Sequence, residues 1–127
     1  MNEQEQKLAG IFVAAVAAGE AALEAAKPTP MAIVEADILT GEPKVGARRL
    51  VIDEGPCGFA WVVFPGNTAF GRHMKKHGHA RKAYGGGLQY WVSQGGQSMQ
   101  RKEAFARAFA SVLKANGIDA FADSRMD

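Results

Sequence analysis

The side chains best suited to metal or nucleophilic chemistry are His73, His77, His79 and Cys57, which fall within one short stretch of the 127-residue chain. His73 and His77 stand four residues apart, on one face of a helix, with His79 just beyond. Imidazole and thiolate together form a zinc donor set. The pattern offers no paired-cysteine knuckle, no Glu between the histidines to act as a base, and no carboxylate from Gly55 to Lys102 to orient an imidazole. A helix-end histidine packed beside Phe70 and Met74 is the preferred account of His77, and no metal is expected. A thiol nucleophile at Cys57 lacks any local signature. Gly85–Gly87 and Gly95–Gly96 lack the spacing and the lysine of a phosphate-binding loop, and turns explain them. Asp119, Asp123 and Asp127 read as a salt-bridged tail around Arg125. No cofactor is implied, and the sequence predicts a non-enzymatic protein.

Charge points elsewhere. Between Gly55 and Lys102 there is no Asp or Glu, yet Arg72, Lys75, Lys76, Arg81, Lys82, Arg101 and Lys102 are present. The formal net charge of the whole chain is only +2, because the flanking segments are acidic. Segregated charge of one sign focuses a positive field toward an anionic partner. Helical geometry sets Arg72, Lys75 and Lys76 opposite Phe70 and Met74, so these cations point outward, either as a solvated face or as a binding face. Arg81, Lys82 and Tyr84 follow on a strand, and Gln89 and Trp91 project together from the next one. Cations beside aromatics suit a nucleic-acid strand, since phosphates need charge and bases present π-faces. The competing partner is an acidic protein surface.

The window Cys57-Gly58-Phe59-Ala60-Trp61-Val62-Val63-Phe64 resembles the inner-strand signature of the RNA-recognition motif, with Cys57 where that family carries a basic residue. The resemblance implies that Phe59 and Trp61 form a stacking pair; a buried aromatic strand would carry the same residues. The second half, through Tyr84, Gly86, Trp91, Gln97-Ser98-Met99-Gln100-Arg101-Lys102-Glu103 and Ser124-Arg125-Met126-Asp127, is similar to small uncharacterised proteins of tailed phages and prophages. That likeness implies a host-cytoplasm protein or minor virion component: a nucleic-acid binder, a host-defence inhibitor or an adaptor.

The elements that must position these residues follow from periodicity. Asn2 with Glu5 reads as a capping box opening one long helix to Lys27, stopped by Pro28 and Pro30. Leu8, Ile11, Phe12, Val16 and Leu23 form its narrow apolar stripe, a contact for a sheet, a partner helix or a second copy of the chain. Gly19 weakens its middle by about 1 kcal/mol relative to alanine. Strands are expected at Met31–Leu39, Arg48–Ile52 and Gly58–Phe64, the last apolar on both faces and therefore central. Asn67 is expected to cap a short helix to His77, stopped by Gly78. Strands at His79–Tyr84 and Leu88–Ser93 then form a hairpin. Ser98 caps a helix to Asn116 with a Glu103–Arg107 pair outside, and Ile118–Ala122 returns as an edge strand. The sum is a single α+β domain: a long N-terminal helix, then an antiparallel sheet with split βαβ (ferredoxin-like) order over residues 58–124. One cysteine excludes an internal disulfide and suits a reducing interior. The apolar run Leu8–Gly19 reads as too short for a membrane span and lacks the basic leader of a signal peptide. A cytoplasmic protein without a membrane partner is the expectation.

Overall fold

The computed structural model describes residues 2–27, 31–34, 49–52 and 55–127, which form an α+β protein. Helix α1 (Glu3–Ala25) opens as read: the Asn2 side chain accepts a hydrogen bond from the Glu5 amide at 2.8 Å. Glu3 and Glu5 place negative charge at the positive end of the helix dipole. Ala26 is already extended, so the helix stops just short of Lys27. Ile11, Ala15 and Gly19 are buried, and Leu8, Phe12, Val16 and Leu23 lean on the core. The partner is helix α3 (Met99–Ala115), which makes the most extensive helix contact in the structure with α1. A Cβ on Gly19 would come within 2.8 Å of the Phe105 ring, so the residue that weakens the isolated helix lets the two helices approach. The helical run is longer than the apolar stretch alone suggested, because alanines carry it onward. At 23 residues α1 is long and apolar enough to cross a membrane by length and composition alone.

Strands β1 (Met31–Val34) and β2 (Arg49–Ile52) pair antiparallel, with Met31 opposite Ile52. The rest of the expected Met31–Leu39 strand, and Arg48, lie outside the described residues. The main sheet comprises β3 (Gly58–Phe64), β4 (Arg81–Lys82), β5 (Leu88–Trp91) and β6 (Phe121–Met126), ordered β4-β5-β3-β6 with every neighbouring pair antiparallel. Helix α2 (Ala69–Lys76) follows β3, and α3 follows β5. Ala60, Val62 and Phe64 point into one core with Phe70, Met74, Phe105, Phe109 and Leu113. Strand β3 is central as read. Only its Ala60–Val62–Phe64 side lies under the helices, whereas Phe59, Trp61 and Val63 alternate to the other face and are half-buried.

Element ends differ from the sequence reading for local reasons. Thr68, not Asn67, caps α2: its hydroxyl accepts from the Gly71 amide at 3.0 Å and donates to the Pro65 carbonyl at 3.2 Å. Strand β4 shrinks to two residues because the His79 amide is taken by the Met74 carbonyl (2.9 Å), closing α2, while Ala83 bonds across the turn to Gly87. The final strand starts at Phe121, not Ile118, because the Ile118 amide closes α3 on the Leu113 carbonyl at 2.9 Å. Gly117, at φ +78°, supplies the left-handed turn that this closure needs. The Glu103 carboxylate accepts from the Ser124 hydroxyl at 2.8 Å, tying α3 to β6 in place of the expected pairing with Arg107. In the expected salt-bridged tail, Asp123 instead accepts from the amide of Ser124 at 2.8 Å.

Candidate nucleic-acid interface

Strand register sets the face of the sheet away from the helices. Residues directly opposite one another share a face, so one row reads Arg81, Gln89, Val63 and Phe121, the next Trp91, Trp61 and Asp123, and the last Phe59 and Arg125. The Trp61 and Trp91 rings are parallel to within 1°, with centroids 5.5 Å apart. Phe59 tilts against Trp91 at 5.4 Å. Two cations attend the Phe59 ring: Lys102 Nζ lies 5.4 Å from its centroid and Arg125 Cζ 5.7 Å. Each such contact contributes about 0.5–1 kcal/mol where exposed and more where desolvated. Lys102 is buried, and the ring supplies a favourable surface for its charge. Trp91 retains 42% of its surface and Phe121 53%. Beside Trp91 a depression of about 480 Å³ is lined by Gly78, His79, Arg81, Gln89 and Trp91 itself.

Residues drawn together in the sequence reading divide between two sides. Phe59, Trp61, Trp91 and Arg81 share the aromatic face. Arg72, Lys75 and Lys76 are exposed on α2, whose Phe70 and Met74 pack into the core on the opposite side of the sheet. Lys82 is exposed opposite the buried Leu88, which puts it on the helix side of the edge strand. Tyr84 stands fully exposed at the hairpin tip, among Gly85–Gly87, all with positive φ. Two of the α2 cations already have partners: Arg72 Nη1 donates to the Asn67 carbonyl at 3.0 Å, and Lys76 lies 4.0 Å from a Glu5 oxygen. The latter pair is well exposed and contributes about 0–1 kcal/mol.

The histidines form a chain of rings. His73 and His77 are 4.5 Å apart, His77 and His79 6.2 Å, and His79 stacks on Phe12 of α1 at 4.3 Å. His73 is the buried member, and His77 is exposed because α2 ends at Lys76 and leaves it as the cap. Burial first, and then the charges of His77 and His79, lower the His73 pKa below its ordinary 6.5, with Glu5 acting in the opposite direction. The zinc set does not assemble: Cys57 points its thiol at Gln97 Oε1, 3.6 Å away, and among the described residues no group of three or more His, Cys, Asp or Glu side chains is placed to hold a metal ion.

Arg125, Asp123 and Phe121 belong to the aromatic face and were not singled out for it in the sequence. Their alternation is visible as a period of two, but the strand was expected to end at Ala122, which hid it. Gly58 fixes the register: a Cβ there would lie 2.6 Å from the Arg125 carbonyl oxygen. No protein-family model matches this sequence, and no curated protein or solved structure gives a match to it.

Proposed function

We propose that this chain is a non-enzymatic module that binds single-stranded nucleic acid across its aromatic sheet face, on a ferredoxin-like split βαβ scaffold running from Gly58 to Met126. Supporting the scaffold reading are the strand sequence β3-α2-β4-β5-α3-β6 and the spatial order β4-β5-β3-β6. The observation that carries the functional reading is the parallel Trp61–Trp91 pair beside Phe59, flanked by Arg81 and Arg125. Bases stack on exposed indole at about 1–3 kcal/mol each, whatever their identity, and guanidinium groups take phosphates. Asp123, opposite Trp61, repels phosphate, so the backbone runs along the two arginine margins and turns its bases inward.

The test is titration of fluorescently labelled single-stranded oligonucleotides at low salt. Trp61→Ala or Trp91→Ala should weaken binding about tenfold, the value of one stacked base. Charge reversal at Lys75 and Lys76 should cost less. Absence of binding at micromolar protein would overturn the proposal. The second reading, a phage-type interaction factor gripping an acidic protein, is favoured by the separation of Arg72, Lys75 and Lys76 from the aromatics. It predicts the opposite ranking of these variants in partner capture.

A further inference from the structure

At the β4–β5 margin of the aromatic face lies a concave place. The depression of about 480 Å³ lined by Gly78, His79, Arg81, Gln89 and Trp91 is within the size range of pockets that hold small ligands. Its walls differ in chemistry. Trp91 offers an indole 42% exposed, while Arg81, directly across the β4–β5 ladder from Gln89, offers an exposed guanidinium. Gln89 is half-buried between them, and among the described residues its carboxamide has no hydrogen-bond partner. A flat ring, a cation and an unpartnered amide side by side match the three parts of a nucleotide: base face, phosphate and base edge. Gly78 and His79 close the far side without adding a carboxylate that would repel the phosphate.

We propose that this depression is a base-selective subsite for one nucleotide of the bound strand, and that it prefers adenine. The base stacks on Trp91, the Gln89 carboxamide accepts from the adenine N6 amino group and donates to the neighbouring ring nitrogen, and Arg81 holds the phosphate. A carboxamide presents one donor beside one acceptor, the complement of the adenine edge. A purine also covers more of the indole than a pyrimidine does. The inference rests on the nucleic-acid reading of the sheet face and adds selectivity to it.

Short single-stranded homopolymers of A, C, G and U, with deoxy counterparts, titrated against the full chain in low salt, provide the test. Wild type should favour the adenine polymer about tenfold, the value of one good bidentate contact. Gln89→Ala should remove that preference, bringing affinity for the adenine polymer down to the level of the others. Gln89→Glu, which keeps size but replaces the amide donor with a second acceptor, should also lose it. Trp61→Ala should weaken all polymers alike. If Gln89→Ala leaves the ranking of bases unaltered, or wild type favours another base, the subsite is wrong while the sheet-face reading stands. If no polymer binds, both fall. Circular dichroism of each variant confirms that the substitution leaves the fold intact.

Discussion

Gly19 sets how closely α1 approaches α3. A Cβ at that position would lie 2.8–2.9 Å from three atoms of the Phe105 ring, and Phe105 is itself fully buried. Gly19→Ala therefore brings two opposing effects. Better helix propensity contributes about 1 kcal/mol, while overpacking of a filled core costs about 1–3 kcal/mol. The second dominates because the ring that must give way is fully buried among Phe109, Ala106 and Leu113 in the core. Urea denaturation should show the variant less stable than wild type by about 1 kcal/mol, and an increase in stability would refute the packing account. The sequence displays Gly19 as a weak point in a helix but not its partner, since Phe105 lies far along the chain. Phe59 and Trp61 were similarly legible as an alternating pair, and their exposure was not. Alternation fixes which residues share a face, and only the placement of α2 and α3 decides which face is covered.

At the scale of elements, α2 is held by its cap at Thr68, by Phe70 and Met74 in the core, and by His73 buried near the N-terminal turn of α1. The His73 pKa is lowered in the folded protein, mainly by burial, so the unfolded chain binds its proton more readily. Stability from this group is present above about pH 6.5, the ordinary value, and is lost as the pH falls through it. Wild-type denaturation midpoints should drop on acidification, and His73→Gln, which cannot titrate there, should drop less. Equal slopes for the two proteins would remove His73 from the account. The centres of the elements were legible from apolar periodicity, whereas their ends were not. At α2 and α3 the closing hydrogen bonds, His79 to Met74 and Ile118 to Leu113, consume residues that on pattern alone extend the next strand. The displaced end of β6, which runs on past Ala122 to Met126, is what concealed Arg125 as a member of the aromatic face.

Across the whole molecule, the acid-free stretch from Gly55 to Lys102 does not become one basic surface. Its cations are distributed over both sides of the sheet, with Arg81 on the aromatic side and Arg72, Lys75, Lys76 and Lys82 on the other. Charge counted along the chain is blind to this division. Salt dependence can see it. Single-stranded binding loses affinity with a slope of about −0.7 in log salt for each phosphate neutralised. Arg81→Ala and Arg125→Ala should each flatten the slope by about that amount, and Lys75→Ala with Lys76→Ala should leave it unchanged. A slope that follows the α2 lysines would move the interface to the helix layer. The parallel indoles of Trp61 and Trp91 have a further use. Two such chromophores held face to face couple their electronic transitions, so the pair carries its own optical signature in circular dichroism. A base that displaces either ring alters that signal without any label, and the chain reports occupancy of its own aromatic face.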